Sequence, residues 1–294
     1  MNSELEIRKV WDLQLREVSG ICERAPGGGR PRQLLAIGDD SHHLLVGDLE
    51  PEVPDEFARV DLAPLLAEAG VRVDGGSQWE GVDSDGTGRV FVLREVPGTV
   101  FVFDPALRRL LNVLPLTVED DPGEARAWEA DENSLGEGLL LLRNGHLFVV
   151  KEQKPRQLLE FGLAGERAQG LRGDLLVGGD GEFPTPEAPR ATFHMLSAWD
   201  LGGEALARIG DLSDVAIGPD GRVYVLSDES RCIARLQPTV PPEGGTVAVD
   251  RVWGLPERLH QPEGLVITAD WDALVATDHP EQRDNLFLLS GLEP

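Results

Sequence analysis

The chain has 294 residues, and 52 acidic against 27 basic side chains leave a formal charge of −25. That balance excludes a surface built to track nucleic-acid phosphates, because such affinity comes from Lys and Arg displacing counterions, and it disfavours an anionic membrane surface. No apolar run approaches the roughly 18 residues of a membrane span, and the opening Met1-Asn2-Ser3-Glu4 leads into no apolar signal segment, so a cytoplasmic, monomeric protein is expected.

In chain order, residues 7–15 read as a lone strand. Five segments then repeat one pattern: a small or acidic residue, a Gly or Asp, an apolar strand, a turn, a second apolar strand ending in an acid, and further strands. The segments begin at Ser19, Glu80, Glu137, Ser213 and Glu263, and their second strands run into Asp39, Glu95, Glu152, Asp228 and Asp278. Turn dipeptides such as Asp85-Gly86, Asn144-Gly145 and Asp220-Gly221 separate the first two strands, which marks hairpins. Successive acids lie 56, 57, 76 and 50 residues apart, a period that fits propeller blades of several strands each.

The expectation is an all-β, five-bladed β-propeller of four-stranded antiparallel blades, a single domain over 1–294. Its blades lie near 16–62, 78–116, 135–201, 211–255, and 261–294 plus 7–15. The N-terminal strand closes the last blade and so leaves no open edge; six blades is the alternative count. Residues 62–70 have room for a helical turn or two, 116–134 form an acidic insertion, and 163–192 form a second insertion rich in Gly and Pro. Cys22 and Cys232 fall in non-adjacent blades, so no disulfide is expected between them.

Antiparallel alternation places the start of each first strand and the end of each second strand on one face of the ring. Eight of these ten positions carry carboxylates. Glu80, Glu137 and Glu263 should point into the mouth of the central channel, where close like charges raise one another's pKa unless a cation intervenes. A hard cation with oxygen ligands, Ca2+ before Mg2+, suits such a set, with Asp228 and Asp278 assisting. The competing reading makes the recurring acids a turn device, each carboxylate accepting backbone N–H bonds, and the three glutamates a solvated rim.

Arg94 and Lys151 precede the acidic column as counter-charges or as holders of an anionic substrate group. His42, His43, His260 and His279 map to the same face and include candidates for a general base, His42 and His279 foremost, with Glu152 as a carboxylate alternative. No Walker loop, dinucleotide fingerprint or Gly-x-Ser-x-Gly elbow occurs, and no organic cofactor is expected.

Four stretches carry a family likeness: Glu80-Gly81-Val82 with Val90-Phe91-Val92-Leu93-Arg94-Glu95; Glu137-Gly138-Leu139 with Lys151-Glu152-Gln153-Lys154-Pro155-Arg156; Leu212-Ser213-Asp214 with Leu226-Ser227-Asp228-Glu229-Ser230-Arg231; and Gln261-Pro262-Glu263-Gly264-Leu265. In these the chain resembles the SdiA-regulated and phytase-like group of bacterial β-propellers. The resemblance implies a propeller with a divalent metal in its central mouth and a hydrolytic activity. Two functions compete: a metal-dependent hydrolase of a small ester, lactone or phosphoester, and a non-catalytic propeller that binds a small molecule or protein on the same face. In the second case the acidic stretch 119–132 would recognise a basic partner.

Overall fold

The computed structural model describes residues 3–49, 56–118, 136–152, 155–178, 180–202, 208–278 and 283–293. Among them lie five antiparallel four-stranded meanders. The first runs outward through Val18–Arg24, Gln33–Gly38, His43–Asp48 and Ala58–Asp61. The second uses Trp79–Ser84, Val90–Arg94, Thr99–Phe103 and Leu110–Thr117. The third uses Gly138–Leu141, Leu147–Lys151, Gln157–Leu163 and Phe193–Leu201, and the fourth Asp214–Ile217, Val223–Ser227, Cys232–Leu236 and Val249–Gly254. In the fifth, Pro262–Ile267, Ala273–Thr277 and Leu286–Ser290 are completed on the outside by the N-terminal strand Glu6–Trp11.

Strands sandwiched on both faces must be apolar throughout, and Val90, Phe91, Val92 and Leu93 are each at most 1% exposed. Each hydrophobic core is shared by two successive meanders. Leu35 and Ile37 pack with Trp79 and Phe101, Phe91 with Leu139 and Phe161, and Phe148 and Trp199 with Val225. Trp253 packs with Leu265 and Val275, and Ala276 and Leu286 return to Ile21 and Ala36. The described residues thus form a β-propeller. One short helix, Ala63–Glu68, follows the first meander, and both cysteines are buried and unpaired. Among the described residues no helix is long and apolar enough to cross a membrane.

The inner strands meet closely at the axis. A Cβ added to Gly138 would lie 2.9 Å from Asp214 Oδ1, Val150 Cγ2 and Val215 Cγ1, atoms held in packed strands. Where three of the other inner strands have Gly20, Gly81 and Gly264, the fourth has Asp214. Its carboxylate accepts bonds from the N–H groups of Val215 and, in the adjoining inner strand, Leu265, both at 2.7 Å. Gly138→Ala is expected to destabilise the protein by about 1–3 kcal/mol through overpacking. Denaturant unfolding checks it, and an unchanged midpoint would contradict the close approach.

Candidate functional site

The rim of the channel is built by irregularities in the inner hairpins. Pairing skips from Val18 to Gly20, from Trp79 to Gly81 and from Pro262 to Gly264, so Ser19, Glu80 and Glu263 are the extra residues of β-bulges. A bulge bends its strand and re-aims a side chain. In the third and fourth meanders, the N–H groups of Glu137 and Ser213 donate to the carbonyls of Val150 and Leu226. Those residues are also the partners of Gly138 and Asp214.

Two residues before three of these positions the backbone is left-handed, at Glu17 (φ 50°), Gln78 (φ 53°) and Gln261 (φ 48°). Their carbonyls accept the N–H groups of Asp39, Glu95 and Asp278 at 3.2, 2.9 and 2.8 Å. Main-chain bonds therefore make these turns. The Asp39 carboxyl lies close to Glu17, and its Oδ1 is buried without a partner.

The electrostatics show which groups converge. Burial first, and then the charges of Glu137, Glu95, Asp39 and Asp278, push Glu80 up to about 10. Glu137 is raised well above the usual range by burial and by Glu95, Glu263 and Glu152, with Lys151 pulling it back. Glu263 is raised likewise by burial, Asp228, Asp211, Glu80 and Glu152. Asp39 is pushed up to about 7 by burial, Glu17 and Asp278, and Asp228 is raised by burial and Asp211. Lys151, 1% exposed, is the cation acting on Glu137. Among the described residues no three His, Cys, Asp or Glu side chains are already drawn together to hold a metal ion.

The structure thus brings Glu80, Glu137, Glu263, Asp228, Asp278, Lys151 and Glu152 to one mouth and sets other candidates apart. His42 is buried edge-on against Trp79, with ring centroids 5.5 Å apart, and burial together with Arg94 lowers its pKa. Arg94 lies over the Phe101 ring at 5.1 Å. His260 is exposed beside Asp228 and Arg231. His279 and the acidic stretch 119–132 lie outside the described residues.

Two features had no counterpart in the sequence reading. Asp211, just ahead of the fourth inner strand, accepts bonds from Ser227 Oγ and from the Glu229 N–H at 3.1 Å; its place two residues before Ser213 matches Glu17, Gln78 and Gln261, which was the available signal. Further along the axis, a cavity of 310 Å3 is lined by Cys22, Asp83, Leu139, Val215 and Leu265, among others. Asp83 is pushed up to about 7 by burial, and its carboxylate accepts the N–H groups of Ser84 at 2.8 Å and Leu141 at 3.2 Å. An acid inside an apolar strand was its signal.

Fold and rim together define a β-propeller with a carboxylate-lined axial mouth. The chain belongs to the SdiA-regulated family, whose model matches residues 129–275. No curated protein matches it. Among solved structures, the glutaminyl cyclase of Myxococcus xanthus is similar with a TM-score of 0.53 at 13% identity, over 99% of this chain and 98% of that one. The PQQ-bound aldose sugar dehydrogenase of Streptomyces coelicolor is similar with a TM-score of 0.50 at 11% identity, over 98% of each chain. At such identities the likeness concerns the fold alone.

Proposed function

We propose that the chain is a single-domain, five-bladed propeller whose mouth takes a hard divalent cation, Ca2+ ahead of Mg2+, and acts as a metal-dependent hydrolase of a small ester, lactone or phosphoester. The count of five rests on five shared cores that return from the last meander to the first. The observation that carries the cation is the convergence of Glu80, Glu137 and Glu263, each raised first by burial and then by acidic neighbours: carboxyls held protonated in this way release their protons to a dication. The donor set is all oxygen, as Ca2+ prefers, and Asp39 Oδ1 is buried without a partner.

Glu80, Glu137 and Glu263 would hold the ion, with Asp228 and Asp278 beside them. A bound cation supplies Lewis-acid polarisation of a substrate oxygen. Lys151 offsets part of the charge at Glu137, and Glu152, half-buried at the same mouth, is the carboxylate placed to take a proton. The seating of His42 against Trp79 favours a second reading, in which the ion serves recognition of an oxygen-rich small molecule or a protein without turnover.

Calorimetric titration with CaCl2 tests the cation. The protein should bind it, and Glu137→Gln should weaken binding at least about tenfold by removing one anionic ligand. Unchanged affinity in that variant sinks the assignment of Glu137. Absence of binding by the unaltered protein sinks the cation altogether.

A further inference from the structure

We infer that a cleft on the second meander, beside the acidic rim, is a binding site for a small organic oxyanion: a carboxylate or phosphate group carried on an apolar body. The cleft has a volume of 600 Å3, and Arg72, Asp74, Gln78, Arg94, Phe101 and Arg190 are among its lining residues. In a chain of charge −25, this place carries an excess of cations.

Arg72 is already satisfied, since Asp74 takes its Nε and Nη2 at 2.5 and 2.6 Å. Arg94 is not. Its guanidinium is half-buried on the Phe101 face, its Nε is buried without a hydrogen-bond partner, and among the described residues no carboxylate pairs with it. Burial pushes its pKa below the usual arginine range, with no neighbouring acid to offset this. Arg190 reaches the same cleft, exposed and likewise without a carboxylate partner among the described residues.

A guanidinium stripped of part of its water and given no anion is left with unmet donors in a planar fork, and a carboxylate or phosphate oxygen pair matches that fork. Phe101, Pro97 and Val113 supply an apolar wall to the same cleft, which sets the body of the ligand. The nearby rim of carboxylates disfavours extended polyanions, so a ligand with one anionic group is selected. The inference stands whether or not the mouth binds a cation.

Calorimetry of the full chain with benzoate, phenyl phosphate and inorganic phosphate as probes tests the site. Both aromatic anions should bind, and phenyl phosphate should bind more tightly than phosphate. Arg94→Gln should weaken both aromatic anions at least about tenfold. Arg94→Lys should also weaken them, because an ammonium cannot make the two-pronged contact. Should Arg94→Gln fail to fold, the exposed Arg190→Gln gives an independent reading, with a loss of about threefold expected for a screened contact. The inference is overturned if neither aromatic anion binds, if the variants bind them as tightly as the unaltered protein, or if phosphate binds as well as phenyl phosphate.

Discussion

With divalent cations chelated, the protein should lose stability as the pH rises from about 5 to about 9, by roughly 2–3 kcal/mol after allowance for water in the mouth. The sign follows from Glu80, whose folded pKa of about 10 lies above the ordinary glutamate value of 4.5. Between those values the folded protein keeps a proton that the unfolded chain releases, so unfolding gains at each step upward in pH. The stabilisation is complete below the unfolded pKa and is lost as the pH climbs through the folded one. Glu137 and Glu263 act in the same sense, as do Asp39 and Asp83 up to about 7.

Melting temperatures across that range should therefore fall by about 4–12 °C in chelator, taking roughly 2–4 °C per kcal/mol. Glu80→Gln should flatten the slope, and saturating Ca2+ should restore stability at the alkaline end through linkage. A stability that rises with pH in chelator would show that the carboxyls do not crowd one another as described.

Replacement of Asp85 by Ala should cost about 3–5 kcal/mol, as expected when one partner of a buried charged network is removed. Asp85 is fully buried, in the turn between the first two strands of the second meander. Its Oδ1 accepts the N–H groups of Thr87 and Arg89, both at 3.1 Å, and the Thr87 hydroxyl at 2.6 Å. Its Oδ2 accepts Arg89 Nε and Nη2 at 2.9 and 2.5 Å and the distant Phe183 N–H at 3.2 Å. Arg89 in turn donates to the Phe183 carbonyl at 2.6 Å and to Thr185 Oγ1 at 3.2 Å. One carboxylate therefore closes its own turn and pins the insertion of the third meander. Asp85→Asn keeps an acceptor and should lose less. Urea unfolding measures both, and a cost for Asp85→Ala below about 1 kcal/mol would contradict this account.

Hairpins, outer strands and the N-terminal closing strand were legible because burial on both faces writes unbroken apolar runs, as in Val90–Arg94 and Leu147–Lys151. So was the meeting of the rim acids, which follows from strand direction alone. The means of aiming them was not. A bulge at Glu80 or Glu263 leaves only a following glycine as its trace, and a left-handed Gln78 looks like any polar turn residue. His42 read as a general-base candidate on the rim because its cover, Trp79, comes from the next meander. Arg94 and Glu95 are adjacent in sequence and diverge in space, one over an aromatic ring and the other toward the mouth. The stretch 163–192 read only as an insertion rich in Gly and Pro, yet Leu171–Arg172 pairs with Thr239–Val240, and Val177 and Gly178 help line the axial cavity.

The pairing of Glu6–Trp11 with Leu286–Ser290 also sets a schedule for synthesis. At roughly 5–20 residues per second, the first of these strands leaves the ribosome tens of seconds before its partner exists. During that interval Trp11 and Leu13, both buried in the finished ring, lack the part of their core that Val266, Leu274, Ala276 and Leu286 supply. A nascent chain must therefore carry an unpaired strand past four completed sheets, which makes this segment a natural point of chaperone contact, and of strand exchange between neighbouring chains on one message.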